Sequence, residues 1–113
     1  MNVLVSEMQR IAPNVSKGIA VIYILRLKSG SIYIGASSDL EQRLDDHISG
    51  QACRTTQLDR PTALLRVEIQ DTFTEARARE AQLKRWSRAK KEALVLGNLD
   101  SLRTLSQSRM PTK

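Results

Sequence analysis

A single carboxylate, Glu80, stands beside the apolar stripe of the longest helical stretch in this 113-residue sequence. Ala76, Leu83 and Leu94 fall within about 20° of one line on a helical wheel of 100° per residue. Glu80 lies only about 40° from that line. A carboxylate beside a buried stripe needs a cation, a hydrogen-bond donor or a metal ion. Two interpretations stand: a partly buried ion pair with a neighbouring arginine, or a ligand for Mg²⁺, which takes few protein oxygens.

Arg43 and His47 are four residues apart, so they share one face of a predicted helix. That face is offset by one residue from the helix's apolar stripe, which predicts that both side chains lie at the edge between core and solvent. An ion pair with Asp39 or Asp46 would also explain Arg43. A polar boundary position would also explain His47, the chain's only histidine.

Two predicted strands bring the chain's two tyrosines onto one surface. Residues 20–35 contain two apolar, β-branched segments joined by a three-residue loop. Such a loop, with Gly30 in the left-handed conformation, is typical of a hairpin. In that register Tyr23 lies opposite Gly35, and Tyr33 is its diagonal neighbour on the same face, roughly 7–8 Å away. Strand packing alone would explain each tyrosine.

Capping residues predict where two helices begin and end. Ser38 and Glu41 have capping-box spacing at the start of one helix, and Gly50 ends it. A longer helix, capped by Thr72, is predicted from about residue 74 to 96. Leucines at three-residue spacing predict a short helix beyond it.

The predicted element order is β-β-α-β-α-α. This order indicates an α+β domain with a small three-stranded antiparallel sheet flanked by helices. A polar, basic loop at 51–60 precedes the third strand at 62–70. The predicted organisation is an N-terminal arm at 1–17, loose apart from a short helical turn, a folded domain at 18–106 and a frayed tail at 107–113.

Basic residues outnumber acidic ones by 18 to 12, which gives a net charge of +6. Such a bias favours a polyanionic partner, with nucleic acid first and an anionic membrane surface second. A solvated helix face would carry the same charges. Nothing in the sequence reads bases, so no sequence specificity follows. The candidate contacts to a phosphate backbone are Arg54, Arg60, Lys84, Arg85, Arg88, Lys90 and Lys91.

One cysteine, Cys53, excludes an intrachain disulfide and a zinc site built on several cysteines. The longest apolar run, residues 19–25, is far too short to span a bilayer. The first ten residues lack the pattern of a signal peptide. We therefore expect a reducing, cytoplasmic setting and no membrane partner.

Four motifs together resemble the GIY-YIG nuclease superfamily, and more closely its small stand-alone bacterial proteins. They are "VIYIL", "YIG", "DLEQRLDDH" and "EARAREAQLKRWSRAKK", in the family's order and spacing across about residues 20–105. The first motif departs from the usual Gly-Ile-Tyr, because Val21 stands at the glycine position.

The resemblance implies a role for each candidate residue. Tyr23 and Tyr33 match the signature tyrosines, whose hydroxyls hold or deprotonate the attacking water. Arg43 matches the arginine that stabilises charge on the phosphate in the transition state. His47 matches a histidine that assists proton transfer or phosphate contact. Glu80 matches the glutamate that binds one divalent cation.

Two further positions follow from the same resemblance. Gly35 is expected to close the second strand where the backbone must let substrate approach. Asn98 resembles a polar residue that some members carry after the long helix.

The expected activity is an endonuclease that depends on Mg²⁺ or Mn²⁺ and acts on DNA through one metal ion. Selectivity for branched structures or for single strands is a hypothesis, and a homodimer is one source of recognition. The alternatives are a catalytically silent nucleic-acid-binding module in DNA repair or recombination, and a protein–protein adaptor in a repair complex.

Overall fold

The computed structural model describes residues 2–97. Its three strands form one antiparallel sheet with helices on both sides, which confirms the predicted α+β class. No helix in this described part is long and apolar enough to cross a membrane. The elements are α1 (Val3–Ile11), β1 (Val21–Leu27), β2 (Ile32–Ser37), α2 (Leu40–Ser49), α3 (Arg54–Leu58), β3 (Pro61–Ile69), α4 (Phe73–Lys84) and α5 (Arg88–Leu96).

The predicted hairpin register between β1 and β2 is confirmed. Tyr23 pairs with Gly35, and Leu25 pairs with Tyr33. Gly30 has φ 95°, a conformation that glycine adopts without a Cβ clash. Its N–H donates to the Leu27 carbonyl at 2.8 Å and closes the turn.

Strand β1 is the centre of the sheet, in the order β2-β1-β3, and is buried on both faces. Tyr23 and Leu25 pack on the face covered by α1 and α2. Ile22 and Ile24 pack on the opposite face, against α4 and α5. Burial on both faces explains why the strand is a continuous apolar run in the sequence.

The expectation of a loose N-terminal arm is wrong for residues 3–11, which form the nine-residue helix α1. The Asn2 side chain accepts from Val5 N and caps its first turn. Leu4, Val5 and Met8 are buried in the core beneath it. Pro13 lies beyond the end of the helix and does not interrupt it.

The cap of α2 also differs from the prediction by one residue. Asp39, not Ser38, is the N-cap, and its carboxylate accepts from Gln42 N at 3.4 Å. The predicted end at Gly50 is confirmed, with φ 81°. The predicted cap at Thr72 is also confirmed, because its hydroxyl accepts from Glu75 N at 3.1 Å.

The predicted long helix is two helices, α4 and α5, separated by residues 85–87. Trp86 N donates to the Leu83 carbonyl and tightens the end of α4. The Ser87 hydroxyl then accepts from Lys90 N and starts a new helix. The Trp86 ring packs beside the core, so the chain turns at this point. A single helical wheel therefore does not describe residues 74–96.

Two other predictions concern the segment before β3 and the residues after α5. The predicted loop at 51–60 contains the short helix α3. The short helix predicted after Gly97, together with Asn98, lies outside the described residues.

Burial in α1 predicts a stability test. We expect Leu4→Ala to lower the free energy of unfolding by about 2–5 kcal/mol, because it removes a fully buried side chain and leaves a cavity. The matched control is Val3→Ala in the same turn, since Val3 is 59% exposed and its loss costs little. Urea unfolding measures both. Equal effects of the two substitutions would contradict the packing of α1.

Candidate active site

Three aromatic rings from three elements meet on the face of the sheet that α2 covers. The ring centroids of Tyr23 and Tyr33 are 6.4 Å apart, as their shared face predicts. The His47 ring lies edge-on to both, with centroids 5.6 Å from Tyr23 and 5.2 Å from Tyr33. The hairpin register and helix α2 together produce this cluster.

His47 is fully buried, which corrects the expected position at the edge of the core. Its Nε2 lies 2.8 Å from the Tyr23 hydroxyl, and its Nδ1 lies 2.8 Å from the Thr56 hydroxyl. Both ring nitrogens therefore have a hydrogen-bond partner inside the protein.

Helix α3 is the physical reason for that burial. Thr56 has no exposed surface. It lies against the His47 ring on the side that was expected to face solvent. Cys53 precedes α3, and its Sγ lies 3.4 Å from the Thr56 hydroxyl and 3.6 Å from the Tyr33 hydroxyl. Sequence reasoning missed Thr56 and Cys53 as site residues, because a five-residue helix is too short to show a period.

Burial controls the protonation of the cluster. It lowers the pKa of His47 to about 4, an effect that the positive charge of Arg43 strengthens and Asp46 opposes. Burial also raises the pKa of Tyr23 to about 12, although a hydrogen bond from Arg43 opposes the shift. At neutral pH the histidine is thus uncharged and the tyrosine is protonated.

The two signature tyrosines differ in their access to solvent. Tyr23 has no exposed surface, whereas Tyr33 is partly exposed. Burial, followed by a hydrogen bond with Cys53, raises the pKa of Tyr33 as well. Arg43 is partly exposed, as predicted. Of the two tyrosines, Tyr33 is the one at the mouth of the site.

Gly35 does not close β2, which continues to Ser37, and its role differs from the expected one. A Cβ on Gly35 would collide with the Tyr23 hydroxyl and would lie 2.5 Å from its Cζ. The missing side chain therefore makes room for the Tyr23 ring, which lies against Gly35 of β2.

Glu80 lies on α4 with its side chain only 12% exposed, as its place beside the apolar stripe predicts. Its carboxylate pairs with Lys84 at 2.9 Å and with Arg77 at 3.6 Å. The ion pair is therefore present, although with Lys84 as the closer partner. Its negative charge also reaches Tyr23, whose pKa it helps burial to raise.

Glu80 could also hold a divalent cation. Residues 2–97 contain no group of three or more His, Cys, Asp or Glu side chains arranged for a metal. A cation here would depend on one carboxylate, on water and on substrate oxygens, which is the coordination that Mg²⁺ accepts most readily. The residues present fit such an ion and do not fit a cation held by the protein alone.

The basic residues proposed as phosphate contacts are only partly available. Lys90 is buried, with its ammonium 4.3 Å from the centre of the Trp86 ring, so its place in that set is wrong. Lys91 is partly exposed, and Lys84 pairs with Glu80. The exposed members are Arg54, Arg60, Lys84, Arg85 and Arg88.

The turn of the β1–β2 hairpin connects two of these arginines. The Arg60 carbonyl accepts from Lys28 N, and the Arg88 guanidinium donates to the Gly30 carbonyl at 2.9 Å. The Arg60 guanidinium itself donates to the Ile48 carbonyl. The Arg88 side chain therefore contacts the hairpin turn, whereas Arg60 contacts the turn through its backbone and directs its side chain to the end of α2.

The close approach at Gly35 generates a prediction. We expect Gly35→Ala to cost about 1–3 kcal/mol of stability through overpacking against the Tyr23 ring. The backbone does not cause this cost, since Gly35 has no positive φ. In a Tyr23→Ala background the same substitution should cost far less. An equal cost in both backgrounds, measured by urea unfolding, would show that the ring is not the obstacle.

The low pKa of His47 predicts a pH dependence of stability. The unfolded chain binds a proton at His47 below about pH 6.5, whereas the folded protein binds it only below about pH 4. The free energy of unfolding should therefore fall as the pH is lowered from about 6.5 to about 4. This group should contribute about 1–3 kcal/mol to the fall, and its contribution should level off at lower pH.

The matched control is His47→Gln, which has no group titrating in that range. Its cost is independent of pH, so the stability difference between wild type and variant should shrink on acidification. Denaturant unfolding at pH 7, 5.5 and 4.5 measures that difference. A constant difference would contradict a buried neutral histidine.

Comparison with known proteins shows which family this chain is similar to. The family model of the GIY-YIG catalytic domain matches residues 19–93. A UPF0213 protein of Staphylococcus saprophyticus is 42% identical over 74 residues, which are 66% of this chain and 90% of that protein. A UPF0213 protein of Staphylococcus aureus is 35% identical over the same shares of both chains.

One solved structure is also similar. The solution NMR structure of the UPF0213 protein BH0048 from Bacillus halodurans has 34% sequence identity and a TM-score of 0.48, and the match covers 71% of this chain and 85% of that one. The catalytic-domain match includes both tyrosines, Arg43, His47 and Glu80. Since it spans well over half of the sequence, this chain belongs to the GIY-YIG family.

Proposed function

We propose that this protein is a divalent-metal-dependent endonuclease that hydrolyses phosphodiester bonds in DNA, with a tyrosine-activated water and one metal ion. GIY-YIG domains are generally nuclease domains. The observation that carries the proposal is the buried hydrogen bond between the Tyr23 hydroxyl and a neutral His47. A core built only for packing has no need of an uncharged base bonded to a phenol.

The chemistry requires an acceptor for the proton of the attacking water. The Tyr23 hydroxyl is too weak an acid to lose its proton alone at neutral pH, because burial raises its pKa to about 12. Its neighbour His47 Nε2 can take the phenol proton while the phenol oxygen takes the proton from water. Tyr33, at the mouth of the site, would hold that water.

Arg43 would connect substrate binding to this proton transfer. Before substrate binds, its positive charge lowers the pKa of His47, in addition to burial. A phosphate would draw the guanidinium away, because arginine binds phosphate oxygens through two parallel donors. Loss of that nearby positive charge would make His47 a stronger base.

Glu80 would hold the metal ion, in place of its present pairing with Lys84. When bound, a cation such as Mg²⁺ or Mn²⁺ shields the negative charge of the phosphate and stabilises the leaving oxygen. Lys84 would then be free to contact the substrate backbone. Glu80 thus exchanges one cation for another without leaving an unpaired buried carboxylate.

The exposed arginines, Arg54, Arg60, Arg85 and Arg88, support a nucleic-acid substrate. They contact backbone phosphates in this proposal and not bases, so cutting depends on the structure of the DNA, including single strands or branches. The rival function is a silent binding module for DNA repair or recombination. It has the same basic surface but gives no role to the Tyr23–His47 pair.

A cleavage assay tests the proposal. Labelled single-stranded, duplex and branched DNA, with RNA beside them, are incubated with protein and Mg²⁺ or EDTA. We expect cleavage in Mg²⁺ and none in EDTA. Glu80→Gln and Tyr33→Phe should each lower the cleavage rate by about 10²–10⁴-fold. Glu75→Gln, an exposed carboxylate on the same helix, is the matched control and should cut normally.

Three outcomes decide between the alternatives. Cleavage that persists in EDTA or in Glu80→Gln would exclude the one-metal mechanism. Binding of every substrate without cutting would favour the silent module. Neither binding nor cutting would leave the adaptor as the better description.

A further inference from the structure

Thr56 is a fully buried hydroxyl that nothing in the proposed reaction has yet used. It lies in α3, and its Oγ1 is 2.8 Å from Nδ1 of His47. The opposite ring nitrogen, Nε2, meets the Tyr23 hydroxyl at the same distance. Because a neutral imidazole carries one proton, one nitrogen donates and the other accepts. The direction of the Thr56 hydrogen bond therefore decides whether His47 can act on Tyr23.

The groups around Tyr23 indicate one direction. The Tyr23 hydroxyl is buried, and it lies 2.8 Å from His47 Nε2. If Nε2 donated to the Tyr23 oxygen, the phenol proton would need another buried acceptor. If Nε2 accepts, the phenol proton has its partner.

The groups around Thr56 indicate the same direction. Cys53 Sγ lies 3.4 Å from the Thr56 hydroxyl. The Cys53 S–H donates to the Tyr33 hydroxyl at 3.6 Å, so its sulfur is left to accept the proton of the Thr56 hydroxyl. A hydroxyl that gives its single proton to sulfur can only accept from His47.

We propose that Thr56 is a positioning residue that holds His47 in the tautomer protonated at Nδ1 and so keeps Nε2 free to take the Tyr23 proton. This inference rests on the proposed function. The proton count is complete: water loses a proton to the Tyr23 oxygen, and the phenol proton passes to Nε2. His47 then carries two N–H groups. Nδ1 still donates to Thr56, so no hydrogen bond around α3 has to reverse.

The charged and titratable groups that face His47 are few. Arg43 and Asp46 come from its own helix, Tyr23 and Tyr33 from the sheet, and Cys53 from the start of α3. Arg43 and Asp46 act on its charge, but neither contacts Nδ1 in the structure. Thr56 is the group in contact with that nitrogen.

The test uses the fact that His47 is the chain's only histidine. Long-range ¹H–¹⁵N NMR spectra of the whole protein at pH 7 report its tautomer without ambiguity. We expect protonation at Nδ1 in the wild type and in Thr56→Ser, which retains the hydroxyl. Thr56→Val, of similar shape, should lose this preference and show Nε2 protonation or a mixture.

Kinetics supply the second measurement. Thr56→Val should lower kcat by about 10–100-fold with little change in KM, as removal of an orienting partner does elsewhere, and Thr56→Ser should restore it. Thermal unfolding confirms that each variant is folded. Cys53→Ala offers a further variant: it removes the acceptor of the Thr56 proton and should weaken the tautomer preference.

The outcomes separate this inference from the proposed function. An unchanged tautomer in Thr56→Val, or a changed tautomer with an unchanged kcat, would overturn the role of Thr56. Wild-type protein protonated at Nε2 would overturn it without any cleavage data. A wild type that cuts no nucleic acid defeats the proposed function instead, while the NMR spectra still decide the tautomer.

Discussion

The hydrogen bond between the Tyr23 hydroxyl and His47 Nε2 is the constraint on which the site depends. It joins the central strand of the sheet to α2 inside the core, where an unsatisfied polar atom would be costly. Every nearby feature serves that contact. Gly35 leaves space for the tyrosine ring, and Thr56 satisfies the far side of the imidazole. Among the described residues, no buried side-chain nitrogen or oxygen lacks a hydrogen-bond partner.

The positions of the two tyrosines could be predicted because they depend on local geometry. A three-residue loop with Gly30 at positive φ admits few registers, and a change of one residue would place Tyr33 on the other face. The position of Glu80 was equally predictable, because a carboxylate within an apolar pattern is conspicuous in any single helix. The break at residues 85–87 lies beyond Glu80, so it divides the predicted helix without affecting this prediction.

The burial of His47 could not be predicted, because it depends on contacts between distant segments. The face of α2 that carries His47 would border solvent if α2 were considered alone. Contact with α3 buries this face. The same limitation applies to Lys90. Its charge suggested a phosphate contact, but the packing of Trp86 at the junction of α4 and α5 places the ammonium over an aromatic ring.

Helix α1 lies outside the residues that match the catalytic domain, which begin at 19, yet it covers the face of the sheet that contains the tyrosines. Leu4 and Met8 are part of that core, and the Glu7 carboxylate accepts from Leu64 N on β3 at 2.7 Å. The unit of folding is therefore larger than the unit of similarity. A fragment cut at the boundary of the match would carry every proposed catalytic side chain and would lack one wall of the core that aligns them.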